Sequence, residues 1–345
     1  MKKEKIVLNN ERNVSLTCYL QETGGEFRYV TRRPAVLILP GGGYQFCSDR
    51  EADPVAFPYL RSGYDAMILR YSVGEDSVWP NPLNDYEQAM RYIRSRADEW
   101  KLYPDKIAVI GFSAGGHLAA CAAAMSENRP NAAILGYAVT AGSFIRECCP
   151  SAPDVISRVD EKTCPCFLFA TRNDSVVPIQ NTVQMMEALD KAGVSFEGHI
   201  YAYGPHGFST ADTSVQSPDS AICSRAGNWV GDSIAWLRDV FGDFSSDGMT
   251  QPRCGAHVNA DADAFLSVSC TLSRLAGNPE AMKILSTLFA QLKWNGGGTM
   301  PDPNADNFSH GMTGRMKLCD ALAYVHVAPE VIERIDGQLK KIPNI

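Results

Sequence analysis

The stretch Val109-Ile110-Gly111-Phe112-Ser113-Ala114-Gly115-Gly116-His117 constrains this chain more than any other. An apolar strand over Lys106–Gly111 runs into a serine flanked by small residues, and an alanine-rich helix over Ala114–Met125 follows at once. A strand that becomes a helix within so few residues needs a tight turn. Side chains at Gly111 or Gly115 would collide with neighbouring elements there, which is why both positions are glycine. The turn exposes the Ser113 hydroxyl and points the helix N-terminus, with its unpaired N–H groups, toward it.

The same alternation extends along most of the chain. Short β-rich runs lie at Val14–Leu20, Ala35–Leu39, Asp65–Tyr71, Ala132–Val139, Cys166–Thr171 and Gly198–Tyr203. Several are nearly continuous apolar runs, as expected of strands covered on both faces. Helical patterns fall between them at Pro82–Trp100, Ile179–Ala192 and Asn228–Phe241. Strand–helix alternation predicts a mostly parallel sheet with helices on both faces. After Phe244 the pattern changes. Ser245–Arg253 is polar and turn-rich, and from Ala262 only helical patterns remain, at Phe265–Ala276, Pro279–Leu292, Met316–Tyr324 and Pro329–Ile342. Between the second and third of these lies a Gly-, Pro-, Asn- and Asp-rich loop, Asn295–Gly311. The expected division is an α/β unit over 1–245, a linker over 246–261 and a small all-α unit over 262–345. No internal repeat stands out.

Composition narrows the function classes. Of the 345 residues, 45% are hydrophobic and 21% charged, an ordinary mixture for a chain with a sizeable core. The net charge of −7 leaves no basic block to neutralise phosphates, so a nucleic-acid partner is not expected. The opening MKKEKIVLNNERN has no apolar run behind its lysines, and no later stretch is long and apolar enough to span a bilayer. A cytoplasmic location and no membrane partner are the expectation. The eleven cysteines mostly sit in apolar segments, as at Cys18, Cys121, Cys166, Cys223, Cys270 and Cys319, the pattern of reduced, buried thiols. Cys148-Cys149 and Cys164-Pro-Cys166 match neither zinc-site nor C-x-x-C spacing, so no metal and no cofactor are expected.

A serine hydroxyl is a weak nucleophile without a base. Among the six histidines, His206 lies on a loop just after the last strand of the alternating region. His117 falls inside the helix after Ser113 and reads as packed or capping, His199 lies in a strand, and His257, His310 and His326 belong to the tail. An imidazole base needs a carboxylate to hold its tautomer. Asp174 follows the Cys166–Thr171 strand, whereas Asp154 and Asp160 precede it and read as solvated loop residues. The order Ser113, Asp174, His206 is that of a nucleophile–acid–base triad on a sheet of this kind.

The segment Leu39-Pro40-Gly41-Gly42-Gly43-Tyr44-Gln45-Phe46 adds the second element. Gly41 and Gly43 supply two positions of G-x-G-x-x-G, but Phe46 occupies the third, and no lysine follows to complete a P-loop. Nucleotide binding therefore fails. A glycine strip after an early strand instead fits half of an oxyanion hole, with the N–H groups of Gly42 and Gly43 joining that of Ala114.

Taken together, LPGGGY, SDREADPVA, YSVGEDSVWPNPLNDYEQAMRYIR, GFSAGGHLAA, NDSVVP and GPHGF make the region Ala35 to Phe241 resemble the α/β-hydrolase superfamily. Within it the chain is similar to the small-esterase branch that includes hormone-sensitive-lipase-like carboxylesterases and bacterial acetyl-xylan and other carbohydrate esterases. The resemblance implies an α/β-hydrolase fold and a serine esterase. One departure stands out: the glycine motif of lipase-like relatives is usually H-G-G-G, and Pro40 holds the histidine's place here. The backbone donors survive that change, but the histidine's loop-ordering hydrogen bonds would be lost. In the tail, LSRLAGNPEAMKIL and APEVIERIDGQLKKI are similar to a helical module appended to various enzymes of gut Firmicutes. A packing or dimerisation unit is the expectation for it.

The expected substrate is a small-molecule ester, with acetylated oligosaccharide as the carbohydrate candidate. Tyr44, Phe46, Trp79 and Phe208 flank the motifs and are candidate pocket residues, and Asp49 and Arg50 are candidates to meet sugar hydroxyls. Gly142–Lys162 is a short candidate cap, which favours a small acyl group such as acetyl. Two alternatives use the same fold. A prolyl-oligopeptidase-like peptidase shares the triad but normally carries a large N-terminal propeller, and only residues 1–34 precede the first motif here. A non-catalytic binding protein commonly lacks a triad member, and all three are present.

Overall fold

The computed structural model describes residues 1–291 and 314–344. The expected loop Asn295–Gly311, and His310 with it, lies outside the described residues. The chain forms two compact units, Met1–Ala256 and His257–Ile345.

The first unit is built on an eight-stranded sheet. Its strands are β1 (Lys2–Asn9), β2 (Val14–Leu20), β3 (Arg33–Leu39), β4 (Asp65–Arg70), β5 (Leu102–Phe112), β6 (Ala132–Gly136), β7 (Cys166–Thr171) and β8 (Phe196–Tyr201), in the order β1-β2-β4-β3-β5-β6-β7-β8. The first two pairings, β1–β2 and β2–β4, are antiparallel and all others parallel. Strand β1 was not expected, because KKEKIVLN looks too charged. It survives as an edge strand whose lysines face solvent and discourage further pairing, with Ile6 registered on Leu16.

Pleating sorts the apolar strands onto two faces. Leu37, Leu39, Val109, Leu135 and Leu168 share one core with α2 (Asn81–Ser95), α4 (Ser113–Met125) and α6 (Gln180–Lys191). Val36, Ile38, Ile110, Ile134 and Phe169 share the other with α1 (Asp53–Arg61) and α7 (Trp229–Phe241). The expected mostly parallel sheet with helices on both faces is therefore the fold. Because β3, β5, β7 and β8 run parallel, their C-terminal ends share one edge, where open α/β sheets place their sites.

Several boundaries differ from expectation for local reasons. Pro82–Trp100 divides at Arg96 into α2 and the short α3 (Ala97–Trp100). Strand β6 stops at Gly136 because Tyr137 takes a positive φ of 34°. Helix α1 was masked by its prolines, Pro54 in the first turn and Pro58 within. The cap segment contains a helix, α5 (Gly142–Cys148). Ser245–Arg253 is not an open tether: β9 (Phe244–Ser245) pairs with β10 (Gly248–Met249), and the N–H groups of Arg253 and Cys254 donate to the Asp239 carbonyl.

The second unit holds α8 (Leu272–Ala276), α9 (Pro279–Gln291), α10 (Leu318–Tyr324) and α11 (Pro329–Leu339) around Leu272, Leu275, Leu285, Leu318, Leu322 and Leu339. Residues Phe265–Thr271 are not helical as expected. They run as irregular chain held by Asp261, which accepts from both the N–H and the hydroxyl of Thr271. The unit also contains a repeat that the sequence conceals. A short helix followed by a longer one that opens on Pro-Glu occurs twice, and the two copies meet across an antiparallel bridge in which Leu272 N–H donates to Met316 and Leu318 N–H donates to Cys270. Unequal connections between short and long helix, two residues in one copy and four in the other, hide the duplication from a sequence register.

Candidate active site

The serine sits where the turn geometry requires it. Ser113 has φ 52°, in the left-handed region that side chains rarely occupy. A Cβ on Gly111 would strike the Gly115 carbonyl and Ala119, and one on Gly115 would strike the carbonyls of Leu39 and Pro40. Both glycines are therefore close-approach positions, as their spacing predicts. The turn brings Ser113 Oγ within 2.9 Å of His206 Nε2, and His206 Nδ1 lies 2.7 Å from Asp174 Oδ2. An ionised carboxylate only accepts, so Nδ1 carries the proton and Nε2 presents a lone pair to the serine hydroxyl. Asp174 is fixed from its other oxygen, which accepts the N–H groups of Val176 and Val177, each at 2.9 Å. Its side chain is 1% exposed, so little water competes for it.

The glycine strip packs against this line. Gly42 (φ 131°) and Gly43 (φ 62°) adopt backbone angles that favour glycine and border the same pocket as Ser113, Ala114 and His206. The N–H of Gly41 donates to Glu51 Oε2 at 2.8 Å, and Glu51 also borders the pocket. The Pro40 carbonyl accepts the Tyr71 hydroxyl at 2.6 Å. The pocket has a volume of about 340 Å³, and Val139, Phe144, Val176 and Val177 form apolar wall. Among the described residues, no group of three or more His, Cys, Asp or Glu side chains could hold a metal ion.

Comparison with known proteins identifies the fold family. An α/β hydrolase enzyme from a Medee basin deep-sea metagenome library is 42% identical, with a TM-score of 0.65 over 70% of this chain and 98% of that one. The chain belongs to the α/β-hydrolase superfamily. A sugar hydrolase from Lactococcus lactis is 30% identical over 69% of this chain and 97% of that one, with a TM-score of 0.61. The BD-FAE family model matches residues 28–134, and the prolyl oligopeptidase family model matches residues 152–222. An acetylxylan esterase of Xylanibacter ruminicola is 28% identical over 66% of this chain and 50% of its own length. The chain spans between 33% and 50% of the length of the first two curated relatives.

Not every pocket candidate reaches the pocket of this α/β-hydrolase. Phe46 does, and it is exposed. Tyr44 is fully buried and donates its hydroxyl to His117 Nδ1 at 2.8 Å. Trp79 packs edge-on against His117, and Phe208 is buried between Tyr137 and Phe169. Aromatic side chains beside a motif are as useful to the core as to a ligand, and three of the four went there. Arg50 borders the pocket, whereas Asp49 pairs with Arg70 outside it. Asp154 accepts the Gly142 N–H and Asp160 pairs with Arg129, both away from His206. His199 pairs with Glu197 on β8.

Two buried residues of this hydrolase were missed by the sequence reading. Glu51 is 3% exposed and accepts from Gly41 and, at 2.6 Å, from the Tyr137 hydroxyl. Burial pushes its carboxyl above the usual range, while the Tyr137 and Gly41 hydrogen bonds and the nearby His206 oppose that shift. Tyr137 also accepts the Ser209 N–H, and its ring meets that of His206 at 5.0 Å. The one signal for Glu51 in the sequence is an acidic residue shortly after a glycine strip, which is too common to read alone. The pocket-lining Phe144, Glu147 and Cys148 lie on α5, inside the segment expected to cap the site.

Proposed function

We propose that this chain hydrolyses short-chain esters, acetyl esters of carbohydrates foremost, through a serine acyl-enzyme. The observation that carries the proposal is the hydrogen-bonded line Ser113–His206–Asp174 opening into a small pocket bordered by Gly42, Gly43 and Ala114.

Ser113 Oγ attacks the ester carbonyl carbon as its proton passes to His206 Nε2. The carbonyl oxygen becomes an oxyanion and accepts the N–H groups of Gly42, Gly43 and Ala114. Collapse of the tetrahedral intermediate expels the alcohol, which takes the proton from His206. Water then repeats the sequence on the acyl-serine and releases the acid. Asp174 keeps the proton on Nδ1 throughout and stabilises the imidazolium. Each oxyanion donor contributes about 3 kcal/mol, because it meets full charge only in the transition state.

The acetyl preference draws on the shortness of the cap segment Gly142–Lys162, whose helix α5 brings Phe144 to the pocket wall, and on the acetylxylan esterase relative. The carbohydrate preference draws on the acetylxylan esterase and sugar hydrolase relatives. The test is hydrolysis of p-nitrophenyl esters from acetate to octanoate, followed by acetylated xylo-oligosaccharides. Acetate is expected to turn over fastest, and Ser113→Ala to lower kcat by roughly 10⁴-fold or more. Equal rates for Ser113→Ala would end the mechanism, and faster cleavage of octanoate would end the acetyl assignment.

The match of residues 152–222 to the prolyl oligopeptidase family sets the rival reading to test, amide hydrolysis by the same triad. Proline-linked chromogenic amides separate the two, and little or no turnover of them is expected.

A further inference from the structure

The proline at the head of the glycine strip raises a question that the triad does not answer. With no histidine side chain at that position, something else must hold Gly42 and Gly43 in register with Ser113. We propose that Glu51 is that positioning residue, clamping the oxyanion strip to the loop that carries His206.

The clamp is continuous from one side of the pocket to the other. Glu51 Oε2 accepts the Gly41 N–H, and Oε1 accepts the Tyr137 hydroxyl. The Tyr137 oxygen in turn accepts the Ser209 N–H at 3.1 Å, three residues after His206, and the Ser209 hydroxyl returns to the Arg50 carbonyl at 2.6 Å. Glu51 therefore closes a ring of hydrogen bonds between the residue that starts the strip and the loop that carries the base. The fit is tight, because a Cβ on Gly41 would meet Glu51 Oε2 at 2.8 Å. A carboxylate satisfies both donors with two oxygens and no proton of its own, which no shorter or apolar side chain can do. Burying an acidic group is costly, and the two hydrogen bonds to its oxygens offset that cost here.

This inference rests on the acyl-enzyme mechanism, and kinetics on p-nitrophenyl acetate test it. Oxyanion donors act in the transition state, so misplacing them lowers kcat and spares KM. Glu51→Ala is expected to lower kcat by about 100-fold with KM changed less than about threefold, a loss like that of one oxyanion donor. Glu51→Gln keeps an acceptor for Gly41 and is expected to recover kcat to within about tenfold of wild type. If Glu51 acted instead through its charge on His206, Gln would be as impaired as Ala, and that result overturns the proposal. So does wild-type kcat in Glu51→Ala, or a loss confined to KM. Should Glu51→Ala not fold, Tyr137→Phe decides: it removes one hydroxyl from the ring and is expected to lower kcat by about tenfold with KM kept, while wild-type kcat would refute the clamp. A wild type that is active and loses activity in Ser113→Ala, beside a fully active Glu51→Ala, removes the clamp alone; a wild type without ester turnover removes the mechanism and the clamp together.

Discussion

Two turns meet at the pocket, and they are held in opposite ways. The turn carrying Ser113 is fixed by the absence of side chains: Gly111 and Gly115 let β5, α4 and the end of β3 approach until backbone touches backbone. The strip Gly41–Gly43 is fixed by side chains that arrive from elsewhere, Tyr71 on the Pro40 carbonyl, Glu51 on the Gly41 N–H and His117 on the Tyr44 hydroxyl. The first turn is a local steric solution and the second a tertiary one. Substitutions should therefore fail differently in the two, by overlap in one and by lost hydrogen bonds in the other.

The largest effect is expected where overlap is worst. Gly115→Ala places a Cβ against the carbonyls of Leu39 and Pro40, which belong to the backbone and cannot rotate away. A loss of about 3 kcal/mol or more is expected. In a unit of this size that is a fall in Tm of roughly 10 °C. Turnover should fall as well, since the displaced Pro40 heads the strip. Wild-type Tm and activity in Gly115→Ala would show that sterics do not set this turn. A smaller effect belongs to the strip. Tyr71→Phe removes a hydroxyl from a fully buried site and leaves the Pro40 carbonyl without that donor, which should cost about 1–3 kcal/mol. Its kcat is expected to drop by several-fold with KM little changed, whereas a stability loss with unchanged kcat would separate Tyr71 from the strip's function.

The same contrast explains what could be read from the sequence. Ser113, its two glycines, Asp174 and His206 are legible because each sits at a strand end whose local pattern is strong, and because G-x-S-x-G has a steric cause that acts within five residues. The sheet was legible for a similar reason, since β6 and β7 are nearly continuous apolar runs. Strand β1 was not, because an exposed edge strand needs no apolar run. Glu51 and Tyr137 were not, because their importance depends on a contact between residues 86 positions apart. Tyr44, Trp79 and Phe208 misled because proximity in sequence to a motif does not say which way an aromatic side chain turns. The tail duplication was hidden by its unequal connections, and the recurring helix pair together with the bridge at Thr271 and Lys317 reveals it.

The subtlest test concerns a buried group on the tertiary side of the comparison and a control outside it. His117 lies on α4, is fully buried, and donates from Nε2 to the Pro153 carbonyl at 2.9 Å, which leaves Nδ1 as the acceptor for Tyr44. Burial lowers its pKa to about 4. The unfolded chain binds a proton near pH 6.5 and the folded chain does not, so this group's contribution to stability is lost as pH falls from about 6.5 toward 4, on the order of 3 kcal/mol in all. Asp65, at the start of β4, behaves oppositely. It is buried with Oδ1 on the Gln21 N–H and Oδ2 without a partner, and burial raises its pKa to about 7. The folded chain then holds a proton that the unfolded chain releases near pH 4, and stability falls as pH rises from about 4 to 7. Over much of the same interval the two slopes oppose each other, so the wild-type Tm should vary little between pH 4.5 and 6.5 on their account. Single substitutions unmask them. Tm is expected to decline with rising pH in His117→Gln and to climb in Asp65→Asn, and only the former should also lower kcat, because only His117 supports Tyr44 at the end of the strip. Parallel pH profiles for the two variants and wild type would mean that neither proton is coupled to folding. An unchanged kcat in His117→Gln would remove His117 from the supports of the strip and leave Glu51 and Tyr71 to hold it.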